Sequence, residues 1–130
     1  MQSRILCGEI TVKKETKRMD CVFCEIIKGN IPSTKVYEDE FVTAFNDLNP
    51  QMPVHVLIVP KKHIASANDL TEEDAVLVGK VFLAAKAIAE KLGLENGYRI
   101  INNCGEDAGQ TVKHLHFHML GGKSMGEKII

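Results

Sequence analysis

The chain has 130 residues, of which 45% are hydrophobic and 25% charged, and its net charge is −1. These values describe one ordinary globular domain and exclude a disordered chain, a collagen-like repeat and a coiled coil. No apolar run approaches the roughly 20 residues that cross a bilayer, and no basic excess marks a nucleic-acid binder, so neither a membrane nor a nucleic acid is an expected partner.

The charge is unevenly placed. Residues 1–18 carry Arg4, Lys13, Lys14, Lys17 and Arg18 against Glu9 and Glu15, a net of +3, which leaves −4 on the remainder. That segment lacks the long apolar stretch of a secretory signal. It reads as a flexible appendage, and residues 19–130 as a single domain. Without a signal the expected compartment is the cytoplasm, where thiols stay reduced. Cys7 and Cys104 show no partner in the sequence. Cys21 and Cys24 form a C-x-x-C, which alone is a redox pair, half of a metal site or a coincidence.

Asp20 is positioned to cap a short helix over residues 21–28, with Gly29 ending it. Two strands follow at 35–38 and 41–47, joined by the acidic turn Glu38-Asp39-Glu40. Asn49-Pro50 and Met52-Pro53 mark a loop, and 55–59 is a third strand closed by Pro60. A long helix begins at the cap Thr71, with Asp74 at the N3 position, and ends at Gly93. At about 100° per residue its apolar stripe is Leu77, Val78, Val81, Phe82, Ala85, Ile88, Ala89 and Leu92. Val76 and Leu83 fall among charges. They read either as ordinary exposed apolar residues or as a second apolar contact, with another subunit. A fourth strand spans 98–102, residues 103–111 form a glycine-containing loop, and 112–120 is the fifth strand. The element order predicts an α+β domain: a five-stranded antiparallel sheet with a short N-terminal helix and one long helix, both on one face.

The informative segment is His114-Leu115-His116-Phe117-His118-Met119-Leu120. Side chains alternate along a strand, so the three histidines share one face while Leu115, Phe117 and Met119 fill the core. Three imidazoles in a row gain little as packing. A zinc triad is the competing reading, because H-x-H on a strand is a common metal geometry. Gly105, Gly109, Gln110 and Thr111 lead into this segment. Glycines let backbone N–H groups approach an anion, and Gln and Thr add neutral donors. A phosphate held between that loop and the imidazoles fits both features.

These residues resemble the histidine triad (HIT) family of nucleotide hydrolases and transferases. Residues 20–125 are similar to its Hint branch, the histidine triad nucleotide-binding proteins. The matching stretches are Phe23-Cys24-Glu25-Ile26-Ile27, Phe45-Asn46-Asp47, residues 55–63 and Ala108-Gly109-Gln110-Thr111-Val112, with Gly121-Gly122 and Met125. His118 stands where the uridylyltransferase relatives resemble a glutamine, and Gly121-Gly122 stands where dinucleoside-polyphosphate hydrolases tend to a Pro-Arg pair. Thr111 occupies a place that is often serine.

The resemblance implies an enzyme that attacks the α-phosphorus of a purine nucleoside 5′-phosphoramidate or similar adduct. His116 is then the nucleophile, and His118 and His55 donate to the phosphoryl oxygens with Gln110 and the loop amides, among them that of Gly109. Thr111 sits near the departing amine. Asp47 accepts from the ribose, Val22, Phe23, Phe45 and Leu48 enclose the base, and Asn103 contacts the phosphate or the loop. Zinc-carrying relatives imply a structural Zn²⁺ on Cys21, Cys24, His63 and His114. A symmetric homodimer is implied as well, and an open edge at strand 98–102 would suit one. The alternatives are a dinucleoside polyphosphate hydrolase, a nucleotide-binding adaptor with little turnover and a zinc-only structural module.

Overall fold

The computed structural model describes residues 21–130. The appendage 1–18, Met19 and the expected cap Asp20 lie outside the described residues. The observed cap of the first helix, α1 (Val22–Lys28), is Cys21, whose sulfur accepts the N–H of Cys24 at 3.4 Å. Gly29 ends α1 in the left-handed region at φ +88°, where a side chain would be strained.

Five strands follow: β1 (Lys35–Glu38), β2 (Val42–Asn46), β3 (Val54–Pro60), β4 (Tyr98–Ile101) and β5 (Phe117–Gly121). They form one antiparallel sheet in the order β1-β2-β3-β5-β4. The long helix α2 (Ala75–Leu92) is inserted between β3 and β4. Its cap is as expected from the sequence, with Asp74 Oδ2 accepting both the N–H and the hydroxyl of Thr71. The first turn, Glu72–Asp74, is 3₁₀. Among the described residues no helix is long and apolar enough to cross a membrane.

Strand alternation splits the core into two layers. Val42, Ala44, Val56, Ile58, Leu115, Phe117 and Met119 pack with Val81, Ala84, Ala85 and Ile88 of α2. Phe45, Leu57 and Val59 point the other way and pack with Phe23 and Ile26 of α1. The two helices therefore cover opposite faces, not the single face expected. The cause is the period of two along β2 and β3, which gives each face its own apolar set. On α2 the buried arc includes Ala84 and leaves out Phe82 and Leu92, which are 50% and 39% exposed. Phe82 only touches the core edge, with its ring 6.2 Å from that of Phe117.

The main difference from the sequence reading is the fifth strand, expected from residue 112 and observed from Phe117. Ile58 is the last β3 residue paired with β5, opposite Phe117. Two steps further, Pro60 has no N–H to offer a ladder, and the chain turns away. Residues 112–116 are instead held by separate contacts, such as the N–H of Leu115 to the carbonyl of Ile64 at 2.6 Å.

Candidate functional site

The face covered by α1 gathers the polar residues. His55 on β3 and His118 on β5 alternate with core residues, and His114 and His116 continue that alternation upstream of β5. His55, His114 and His116 are buried, and His118 is half-buried. The ring edge of Phe23 meets His116 at 5.0 Å between centroids, and the rings of His116 and His118 are 5.3 Å apart. The expected shared face is present, although only His118 belongs to a strand.

Hydrogen-bond partners fix which nitrogen of each ring carries the proton. His116 donates its Nδ1–H to the carbonyl of His114 at 2.7 Å. Its Nε2 is thereby left with a lone pair, the form a nucleophile needs. The N–H of Gln51 donates to Nδ1 of His55 at 3.0 Å, so the proton of that ring sits on Nε2. That Nε2–H donates to Nδ1 of His118 at 2.9 Å, with Oδ2 of Asp47 3.5 Å away. His118 then carries its own proton on Nε2. Asp47 Oδ1 accepts the N–H of Asn49 at 2.7 Å.

Asp47, His55 and His118 place three ligand-type atoms within 4.8 Å of one another. His55 and His118 form a hydrogen-bonded relay with Asp47 alongside, and not a metal seat, because the Gln51 N–H occupies Nδ1 of His55 and the ring proton occupies Nε2. The same argument removes His55 from the phosphoryl donors, since its only N–H is already committed. Burial holds His118 below its ordinary imidazole value; charge on His116 and on His55 adds to this, and the Asp47 carboxylate opposes it.

The loop before the triad is built by Gln110. Its Oε1 accepts the N–H of Gly105 at 3.0 Å, and its Nε2 donates to the carbonyls of Ala65 and Val112 at 2.8 and 3.0 Å. Both amide protons are used, so Gln110 shapes the loop rather than contacting a phosphate. Gly105 and Gly109 have φ of +88° and +84°, a conformation that favours glycine. Thr111 is exposed beside this loop, and Asn103 is half-buried. Phe23 and Phe45 are buried against each other at 5.6 Å, while Val22 is 41% and Leu48 fully exposed. Of the four expected base contacts, two are therefore buried and two exposed.

A second cluster stands next to the triad. Ligand atoms of Cys21, Cys24, His63 and His114 lie within 4.8 Å of one another. His114 Nδ1 is 3.3 Å from Cys21 Sγ, 3.5 Å from Cys24 Sγ and 3.2 Å from His63 Nδ1. His63 Nδ1 is 3.4 Å from Cys24 Sγ. Zn–S bonds of about 2.3 Å and Zn–N bonds of about 2.0–2.1 Å put tetrahedral ligand atoms about 3.3–3.8 Å apart, which fits these separations. His114 donates Nε2–H to the carbonyl of Pro60 at 2.8 Å, so its Nδ1 lone pair faces the cluster. Burial brings His114 down to about 4 and lowers His63, keeping both rings neutral. Burial also raises the Cys21 thiol, and a cation would offset that. Cys24 is disulfide-bonded in this structure, so its sulfur reaches a metal only in the reduced protein.

Two contributors were not legible beforehand: the Gln51 backbone N–H and the side chain of Asn102, which donates to the carbonyl of His116 at 2.9 Å. Contacts from side chain to backbone leave no sequence period. The only available signal was the pair Asn102-Asn103 closing an apolar strand.

An α+β domain with three alternating histidines on one sheet face, one of them holding a free Nε2, defines a histidine-triad protein. The HIT domain family matches residues 28–125. The purine nucleoside phosphoramidase of Escherichia coli strain K12 is 44% identical over 108 residues, covering 82% of this chain and 91% of that protein. A HIT family hydrolase from Clostridium thermocellum is 54% identical with a TM-score of 0.84, covering 88% of this chain and 100% of the other. A histidine triad protein from Clostridium difficile is 51% identical with a TM-score of 0.82, covering 87% and 99%. The chain belongs to the HIT domain family.

Proposed function

We propose that this chain is a HIT-family hydrolase of the Hint branch that cleaves purine nucleoside 5′-phosphoramidates or related nucleotide adducts through a nucleotidyl-histidine intermediate. The observation that carries the reading is the His116 Nδ1–H bond to the His114 carbonyl. It places the ring proton on Nδ1 and so leaves Nε2 for attack, with the His118 ring alongside. The phosphoramidase name of the 44% identical Escherichia coli protein supports the substrate class.

In the first step Nε2 of His116 forms a bond to the α-phosphorus, and the bond from phosphorus to the amine nitrogen breaks. His118 transfers its Nε2 proton to the leaving nitrogen, which departs as the amine, and takes a proton back from the attacking water in the second step. The amides of Gly105, Ala108, Gly109 and Gln110 are used within the loop and so do not serve the phosphoryl charge, contrary to the expectation from the sequence, and Thr111 stands at the exit. Water then cleaves the nucleotidyl-imidazole bond and regenerates His116. Asp47 receives the ribose hydroxyls, and Phe23 and Phe45 hold the purine from below, with Val22 and Leu48 at the rim.

Cys21, Cys24, His63 and His114 would hold a structural Zn²⁺. Four protein ligands leave no open position, so the ion would tie α1 to the triad segment without touching substrate. The exposed apolar residues of α2 and the open β4 edge support a homodimer. The deciding experiment incubates purified protein with adenosine and guanosine 5′-phosphoramidates and follows release of the monophosphate. Turnover of neither compound would overturn the reading.

A further inference from the structure

We propose that Asn102 is a positioning residue for the nucleophile: its side-chain amide completes the sheet where the backbone stops and fixes the backbone of His116. β4 pairs with β5 from Tyr98 opposite Gly121 to Ile101 opposite His118. In the same register Asn103 would face His116. The ladder ends before that, and β5 itself begins only at Phe117. The carbonyl of His116 therefore lacks a backbone rung on this side. The Nδ2–H of Asn102 donates to it at 2.9 Å and stands in for the missing rung.

The consequence follows from how little else holds this segment. Residues 114–116 are outside any strand; the His114 ring is held by Pro60 and by the Cys21, Cys24 and His63 cluster, while the backbone of the segment is anchored by the Leu115 N–H to Ile64 and by the Asn102 amide. Among the described residues, only the Asn102 bond is made by a side chain to the nucleophilic residue's own backbone. The His116 ring is tied back to the His114 carbonyl through Nδ1, so a backbone shift at either residue moves Nε2. Because His116 is 8% exposed, water is a poor substitute for the lost donor. Misplacing a reacting group by about 1 Å costs on the order of 100-fold in rate.

This proposal rests on the hydrolase reading, and its test separates the two. Asn102→Asp keeps the shape and removes the donor; Asn102→Val removes the polarity altogether. Both are assayed on adenosine 5′-phosphoramidate and by NMR of protein with ¹⁵N-labelled histidine, which follows the His116 Nδ1–H signal without any substrate. We expect kcat to fall about 10- to 100-fold with KM within about twofold of the parent, the signature of a lost transition-state alignment. The protected Nδ1–H signal of the parent should broaden or exchange in both variants. An unchanged kcat, a raised KM at constant kcat, an unaltered Nδ1–H signal or failure of both variants to fold would each overturn the proposal. An inactive parent would refute the hydrolase reading, while the Nδ1–H signal would still decide the role of Asn102.

Discussion

His55 and His118 share one proton: Nε2–H of His55 donates to Nδ1 of His118 at 2.9 Å, and the Gln51 N–H at Nδ1 of His55 prevents the opposite arrangement. His118 is thereby held with its proton on Nε2. His55→Phe keeps the ring and removes this lock. It should lower kcat about 10- to 100-fold, a barrier increase of about 1.4 kcal/mol per tenfold, with substrate affinity nearly unchanged. Steady-state kinetics with KM and kcat resolved checks this, and an unchanged kcat would remove the relay from the mechanism.

His116→Ala removes the covalent nucleophile and leaves the floor, loop and relay in place. Turnover should drop by at least a thousandfold, while a nucleoside monophosphate still binds within about tenfold of the parent affinity. Rapid quenching of the parent with labelled substrate should capture label on the protein, and none on the variant. Retention of a tenth of the activity by His116→Ala would exclude the covalent route.

The titration of His118 follows from its surroundings. Burial places its folded-state value below the ordinary imidazole value of about 6.5. Between these two values the unfolded chain binds more protons than the folded one, so this group costs stability as pH falls through that window and costs nothing above it. NMR titration of the nucleotide-free protein should place the His118 midpoint below that of a free imidazole. Asp47→Asn removes the one raising influence and should move the midpoint further down. An upward movement would contradict this account of the site.

Much of this was legible in the sequence, for definite reasons. Thr71 with Asp74, and Gly93 at the other end of α2, are local signals that depend on a few adjacent atoms. The shared face of His114, His116 and His118 follows from alternation, which survives even where hydrogen-bonded pairing does not. The start of β5 was misplaced because it depends on Pro60 in another strand, which no local pattern reports. Gln110 looked like a phosphate donor by composition, and only its three hydrogen bonds within the loop show that it is committed. The placement of α1 and α2 on opposite faces was present in the alternation of β2 and β3. It required deciding which half of each strand met which helix.

The Cys21, Cys24, His63 and His114 cluster should hold about one Zn²⁺ per chain in protein purified under reducing conditions. A metal bound only by the folded state adds to its stability, so chelation should lower the melting temperature. Cys21→Ser should lose the ion and melt lower, and Cys24→Ser likewise, while the chemistry at His116 remains. Elemental analysis and thermal melts with and without chelator test this together. Zinc-free reduced protein whose melting is indifferent to chelator would end the metal assignment.

The last prediction concerns the surface of α2. Val76, Phe82 and Leu83 are 67%, 50% and 61% exposed on a helix whose other side already fills the core. Gly79 lies between them, and a Cβ built there would meet nothing within 4 Å, so a neighbouring helix has room for close approach. Among the described residues β4 is an edge strand of the sheet, with no strand on its outer side. A two-fold axis that packs α2 against its copy and pairs β4 with its copy would cover both features in one isologous contact. Burying a leucine side chain contributes about 1.5–3 kcal/mol, and a symmetric contact counts it twice. Leu83→Glu replaces that gain with two carboxylates facing each other near the axis. Light scattering at micromolar concentration should give twice the mass of one chain for the parent and a shift toward one chain for the variant, with the fold retained by circular dichroism. A parent with the mass of one chain and full activity would rule out the dimer, and a variant that dimerises as tightly as the parent would move the contact away from Leu83.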